Sequence, residues 1–141
     1  MKKNVFIDGE IGTTGLQVHE KLTKHPNVNI LSVNKDKRKD PYYKKEMLKA
    51  SDVSFLCLPD DGAVEAVQIA NKIGNKTQII INASTAHSTN PDSAYGLRAL
   101  DLEFIKKLLH SKRIAAPGCY STGANVILKP LLENNFITHK N

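Results

Sequence analysis

Tryptophan is absent from the sequence, aromatic residues make up only 6% of it, and there are just two cysteines. Cys57 and Cys119 are too few for a disulfide framework and match no zinc-ligand spacing. A reducing, cytoplasmic setting is therefore expected. No apolar run approaches the roughly 20 residues that a bilayer-spanning helix needs; the longest, such as IIINA around residue 80, are about a quarter of that. The N-terminal MKKNVFIDGE starts basic but meets Asp8 before a signal-peptide core could form. Membrane association is not expected.

What is present suits one compact soluble domain. The 141 residues are 40% hydrophobic and 24% charged, enough to build a core and too apolar for disorder. The net charge is +6 and the isoelectric point about 9.3. Much of the excess lies in KDKRKDPYYKKEMLK, which contains Lys35, Lys37, Arg38, Lys39, Lys44, Lys45 and Lys49. Such a run is a solvated face, a site for a small polyanion or a nucleic-acid surface, in that order. Zinc-finger spacing and aromatic-rich strand motifs are lacking, so nucleic acid is not expected as a partner.

Short continuous apolar runs alternate with helical periodicity along the chain. Strands are expected at 4–8, 28–33, 52–58, 78–84 and 113–117, with the third buried on both faces. Helices are expected at about 14–24, 42–49, after Asp60 or Asp61 as a cap, through LDLEFIKKLLHSK, and from Cys119 or Tyr120 towards Asn134 with a kink or break at Pro130. The helix after Asp60 should bury Val64, Val67, Ile69 and Ile73. The one after it should bury Leu102, Ile105, Leu108 and Leu109. Strict alternation of strand and helix predicts a Rossmann-like α/β fold, a doubly wound parallel sheet with its ligands at the carboxyl ends of the strands.

The first loop, DGEIGTTG, follows a strand and opens a helix, with Gly9, Gly12 and Gly15 spaced by three. Glycines there permit a tight turn and a close approach of backbone to a pyrophosphate, which the helix N-terminus attracts. The plainer alternative is a turn whose glycines serve only helix–strand packing. An NAD site usually carries an acid at the end of the second strand. Here that position reads SVNKDKRK, where Lys35 and Arg38 suit a 2′-phosphate and so favour NADP, although Asp36 lies close by.

In APGCYSTG, Pro117 and Gly118 turn the chain and put Cys119 near a helix start. Dipole and free N–H groups there favour a thiolate, the form that attacks acyl carbon. A nucleophile beside a nicotinamide can hold an acyl group as a thioester while hydride arrives. Cys57, within SFLCL, is expected to be a core residue.

Five stretches in order resemble one family across nearly the whole chain: VFIDGEIGTTGLQVHEKL, KRKDP, DVSFLCLPDDGAVEAV, NASTAHSTNPDSAYG and APGCYSTG. They are similar to the shorter variant of N-acetyl-gamma-glutamyl-phosphate reductase, of the aspartate-semialdehyde dehydrogenase group. The resemblance implies NADPH-dependent reduction of N-acetyl-glutamyl 5-phosphate to the semialdehyde in arginine biosynthesis, through a thioester on Cys119. It places Gly9, Gly12, Thr13, Thr14 and Gly15 on the phosphate loop, and Pro59 and Asp60 near the adenosine. It places Ser84 and Thr85 near the nicotinamide, with His87 and Gly118 close to the substrate.

Several positions depart from the family pattern. Ser88 stands where the family has arginine, Leu97-Arg98-Ala99 replaces Phe-Pro-Glu, and Ala116 and Ser121 replace asparagine and proline. Family members are about twice as long, and their second domain supplies a catalytic histidine, much of the substrate pocket and the dimer interface. Residues 1–116 are thus expected to be the NADP-binding domain and 117–141 the start of a catalytic one. A homo-oligomer is expected only of a full-length form, and the chain itself is expected to be a fragment. His19, His25, His110 and His139 match no catalytic motif. A non-catalytic NADP-binding module, or a remnant of such an enzyme, is the alternative.

Overall fold

The computed structural model describes residues 1–98 and 102–138, so Ala99 and His139 lie outside the described residues. Six parallel strands form one sheet in the order β2-β1-β3-β4-β6-β5. They are β1 (Lys3–Asp8), β2 (Val28–Leu31), β3 (Val53–Leu56), β4 (Ile79–Asn82), β5 (Ala94–Tyr95) and β6 (Arg113–Ala115). The helices are α1 (Thr13–Thr23), α2 (Pro41–Ala50), α3 (Asp60–Ile73), α4 (Leu102–His110) and α5 (Cys119–Glu133). The doubly wound parallel fold is as expected, with one strand more than the sequence suggested.

The additional strand, β5, is two residues long and pairs only with β6. It is hidden in a polar stretch that carries no run of strand-forming residues. Central β1 buries Val5, Phe6, Ile7 and Asp8 in succession, as a parallel strand covered on both faces must. In contrast, β3 and β4 alternate. Ser54, Leu56, Ile80 and Asn82 are buried, while Val53, Phe55, Ile79 and Ile81 are half-buried. The expectation of burial on both faces of β3 is corrected accordingly.

Local chemistry explains the helix boundaries. Asp40 caps α2 by accepting the Tyr42 N–H at 2.9 Å, and Pro41 occupies the first turn, where no N–H is needed. Gly74 ends α3 in the left-handed conformation (φ 74°), its N–H reaching the Ala70 and Asn71 carbonyls.

The packing face of α3 differs from the expected one. Ala63, Ala66 and Ala70 are buried, and Ala66 and Ala70 lie with Leu56 and Ile80 in one core cluster, flanked by Leu58 and Val67. Ile69 and Ile73 are half-buried and Val64 is exposed. Alanines let the helix approach the sheet closely, which the larger residues would prevent. On α4, Ile105 and Leu108 are half-buried as expected, but Leu102 and Leu109 are exposed. No residue of α5 is buried; Tyr120, Val126, Ile127 and Leu128 are exposed on it, and Phe136 just beyond it. The helix continues through Pro130.

Candidate functional site

From β1 the chain crosses through α1 to β2 on one side, and β3 lies on the other. The carboxyl ends of β1 and β3 therefore flank a topological switch point, where ligands bind in such sheets. Gly9 sits there with φ 87°, and a Cβ on it would come within 2.1 Å of the Cys57 carbonyl oxygen. Gly15, buried in the first turn of α1, would place a Cβ 2.1 Å from the Gly9 carbonyl oxygen. Gly12, at the N-cap, would meet the same oxygen only at 3.4 Å. Two of the three glycines are thus enforced by close approach of backbone. Cys57 is not a core residue; it follows β3, half-buried, under this loop.

The first α-helical bond of α1 runs from the Leu16 N–H to the Gly12 carbonyl at 2.8 Å. The N–H groups of Thr13, Thr14 and Gly15 precede it and have no carbonyl one turn back to use. Thr13 and Thr14 are exposed at the mouth of the loop. This backbone arrangement offers donors and a partial positive charge to an anion.

Beside the loop lies a cavity of about 550 Å³, floored by apolar side chains such as Phe6 and Leu58 and rimmed by Gly9, Lys35, Arg38 and Lys39. Lys35 starts a 3-10 turn (Lys35–Lys37) that follows β2. The Arg38 Nε donates to the Val33 carbonyl at 3.3 Å, and its Nη2 lies 3.4 Å from the Glu10 carboxylate. Lys44 reaches from α2 between Asp8 at 3.6 Å and Glu65 at 3.3 Å. Burial is the main influence on Asp8 and raises its pKa above the usual carboxylate value, with Lys44 opposing. Its Oδ2 has no hydrogen-bond partner among the described residues.

The basic run thus divides. Arg38, Lys35 and Lys39 face the cavity, Lys44 is held in an ion-pair cluster, and Lys37 rests over the Tyr43 ring, 4.7 Å from its centroid. Glu10 and Asp8 were not expected as site residues, and Lys44 was read only as one member of the basic run. The two acids are embedded in the quoted DGEIG motif, but nothing local tells which cation each will meet.

Asp60 does not cap its own helix, whose N-cap is Pro59 with no side-chain bond. Its carboxylate instead accepts the Thr85 N–H at 3.0 Å, the Thr85 hydroxyl at 2.8 Å and the Ala86 N–H at 3.2 Å. These bonds, the Thr85 hydroxyl foremost, hold its pKa below the ordinary value. Buried Ser84 caps the same short turn (Thr85–His87). Pro59, Asp60, Ser84 and Thr85 are therefore brought together at the carboxyl edge of β3 and β4.

His87 is placed elsewhere. It lines a second cavity, of about 240 Å³, with Asn71, Asn82 and Arg113. The Asn82 Oδ1 accepts the Ser84 N–H at 2.9 Å, which turns its amide NH₂ to donate to the His87 Nδ1 at 2.7 Å. A neutral His87 then carries its proton on Nε2.

Cys119 is the first residue of α5, with Gly118 as N-cap, and its side chain is exposed. The Gly118 carbonyl accepts the Thr122 N–H at 2.9 Å, the Thr122 hydroxyl at 2.7 Å and the Ser121 hydroxyl at 3.1 Å. The Ser121 Oγ also lies 2.7 Å from the Tyr95 hydroxyl, joining α5 to the edge strand. Burial, and then Asp8, raise the pKa of the Cys57 thiol, which disfavours its thiolate.

Among the described residues there is no cluster of three or more acidic, histidine or cysteine side chains that could hold a metal ion, and no helix long and apolar enough to cross a membrane.

No family model matches the chain. It is 43% identical over 129 residues to N-acetyl-gamma-glutamyl-phosphate reductase 2 of Pseudomonas putida, covering 92% of this chain and 40% of that protein. It is 44% identical over 129 residues to the N-acetyl-gamma-glutamyl-phosphate reductase of Burkholderia cenocepacia, again covering 92% and 40%. The chain spans about two-fifths of the length of the curated relatives it matches. Among solved structures, an aspartate semialdehyde dehydrogenase from Francisella tularensis superposes with a TM-score of 0.68 at 14% identity, covering 96% of this chain and 42% of that one. The Candida albicans aspartate semialdehyde dehydrogenase with NADP gives 0.61 at 15% identity, covering 95% and 48%. At these identities the structures show the fold alone.

Proposed function

We propose that this chain, a homologue over nearly its whole length of the N-terminal part of N-acetyl-gamma-glutamyl-phosphate reductases, carries the nucleotide site and the nucleophile of such an enzyme. The reading is NADPH-dependent reduction of N-acetyl-glutamyl 5-phosphate to the semialdehyde, with release of phosphate, in arginine biosynthesis. The observation that carries it is the pairing of Gly9 and Gly15, whose Cβ positions are filled by backbone, with a cation-rimmed cavity at the switch point.

The residues present fit a phosphorylated dinucleotide. The N-terminus of α1, with Thr13 and Thr14, would hold the pyrophosphate, and Lys35 and Arg38 a ribose 2′-phosphate. When bound, the cofactor supplies the hydride. The Cys119 thiolate attacks the acyl carbon, the bond from that carbon to the phosphate oxygen breaks, phosphate leaves, and a thioester remains on the protein. Cys119 opens α5, and a helix N-terminus favours negative charge. Asp60 and Ser84 fix the turn that carries Thr85, and so set the shape of the sheet edge facing the reaction.

A second reading is a nucleotide-binding module without turnover. It is favoured by one observation: the Cys119 thiol has no hydrogen-bond partner among the described residues.

Two measurements on the chain test the proposal. A fluorescence titration should give saturable binding with a clear preference for NADPH over NADH. Incubation with an acyl phosphate should give an acyl adduct on Cys119 by peptide mass mapping. Binding without the adduct would select the module, and binding of neither nucleotide would remove both readings.

A further inference from the structure

Four cations and three acids line the larger cavity: Lys35, Arg38, Lys39 and Lys44 against Asp8, Glu10 and Asp36. Lys44 is committed to Asp8 and Glu65. Lys35 and Lys39 are exposed and make no ion pair among the described residues. Arg38 is different, with a side chain only 27% exposed against a Glu10 side chain 20% exposed. Its guanidinium is fixed at two points, the Val33 carbonyl and the Glu10 carboxylate. The other Glu10 oxygen lies 3.4 Å from the His19 Nε2, so α1 holds this carboxylate from behind.

A carboxylate inside a pocket that would receive a polyanion is a physical conflict. Glu10 belongs to the glycine loop itself, between Gly9 and Gly12, and Arg38 to the segment after β2. Their ion pair therefore straps the two walls of the cavity together. A phosphate arriving on the ribose finds the guanidinium already engaged by an anion of the same sign as itself. We infer that Glu10 is the resident counter-ion of Arg38, which a ribose 2′-phosphate displaces, so that Glu10 sets how strongly the site prefers 2′-phosphorylated nucleotides.

This rests on the nucleotide-site reading above. The exchange costs one carboxylate–guanidinium pair and gains one phosphate–guanidinium pair, which bidentate geometry favours. The unphosphorylated ribose makes no such exchange and leaves the pair closed. Removing the Glu10 charge should thus strengthen one class of ligand selectively.

The test uses adenosine 2′,5′-bisphosphate and 5′-AMP, which differ only in the 2′-phosphate, titrated calorimetrically into the full chain and its variants. Glu10→Gln should bind the bisphosphate about fivefold more tightly, the scale of one solvent-accessible ion pair, with 5′-AMP unchanged. Arg38→Met should weaken the preference, leaving only what Lys35 supplies, and adding Glu10→Gln to it should then change nothing further. Glu10→Ala provides a second removal of the charge, and thermal melts establish that each variant folds. Equal tightening of both ligands, a weaker preference in Glu10→Gln, or an effect that persists without Arg38 would each overturn the inference while leaving the nucleotide site standing. Failure of the wild-type chain to bind either ligand would remove the nucleotide site as well.

Discussion

The Asp60 carboxylate and Thr85 are bonded twice, through the Thr85 N–H at 3.0 Å and its hydroxyl at 2.8 Å. A side chain in the first turn of α3 thereby holds the turn that follows β4. Because the carboxylate accepts these bonds, the folded pKa of Asp60 lies below its ordinary value of 3.8. The contribution is complete above that value and is lost as pH falls through the lower folded pKa. Amide-exchange protection at Thr85 and Ala86 should therefore hold down to about pH 4 and decline in stronger acid. Asp60→Asn should show weaker protection at neutral pH and lose the acid step.

The three loop glycines should not be equivalent. Gly9→Ala forces a Cβ against the Cys57 carbonyl at a positive φ, and Gly15→Ala forces one against the Gly9 carbonyl. Each should destabilise the chain by on the order of 2 kcal/mol or more, by combined strain and overpacking. Gly12→Ala should cost less, about 1 kcal/mol, because its Cβ meets the Gly9 carbonyl only at 3.4 Å and what is lost is the preference for Gly over Ala at an N-cap. Denaturant midpoints would rank the three.

Alkylation should discriminate the cysteines. Cys119 is exposed, whereas the half-buried Cys57 thiol is held protonated by burial and by Asp8. Iodoacetamide at neutral pH should modify Cys119 on the order of tenfold faster, in keeping with thiolate control of reactivity. Cys119→Ser should remove the fast phase and leave the slow one. A fast phase that survives Cys119→Ser would reverse the assignment.

Tyr95→Phe should detach the first turn of α5 from the edge strand by removing the partner of the Ser121 hydroxyl. The bond is solvent-exposed, so the loss of stability should stay below about 1 kcal/mol. The rate at which Cys119 is acylated should fall further than that, because the bond fixes the turn bearing the sulfur. Ser121→Pro should also fold, since the first helical turn needs no N–H at that position, and should reproduce the Tyr95→Phe effect. Equal acylation rates in all three proteins would show that the bond is incidental.

Much of the architecture was legible because large apolar residues in short runs report strands directly. The parallel winding followed from that pattern, while glycine spacing marked the first loop and Pro117-Gly118 marked a helix start at Cys119 or Tyr120. The face of α3 did not, because Ala63, Ala66 and Ala70 carry almost no periodic signal while Val64 does. Strand β5 escaped for want of length. The partnerships within the site were also hidden. Asp60 and Thr85 are 25 positions apart, and Glu10 meets Arg38 only because the sheet places β1 beside β2. Local sequence shows that an acid is present; the fold decides which cation or N–H it answers. The contact of the His87 ring with Asn82 was hidden in the same way.

The exposed apolar side chains of and beyond α5 bear on how this protein should behave as a colloid. Ile127 and Phe136 are 64% and 77% exposed, on a chain of net charge +6. Like-charge repulsion keeps copies apart when ionic strength is low, and added electrolyte shortens its reach to about 8 Å at 0.15 M. Raising salt should consequently promote self-association instead of suppressing it, most steeply with sulfate, which also strengthens apolar attraction. Dilute, low-salt buffer should be the medium that keeps copies of this chain apart.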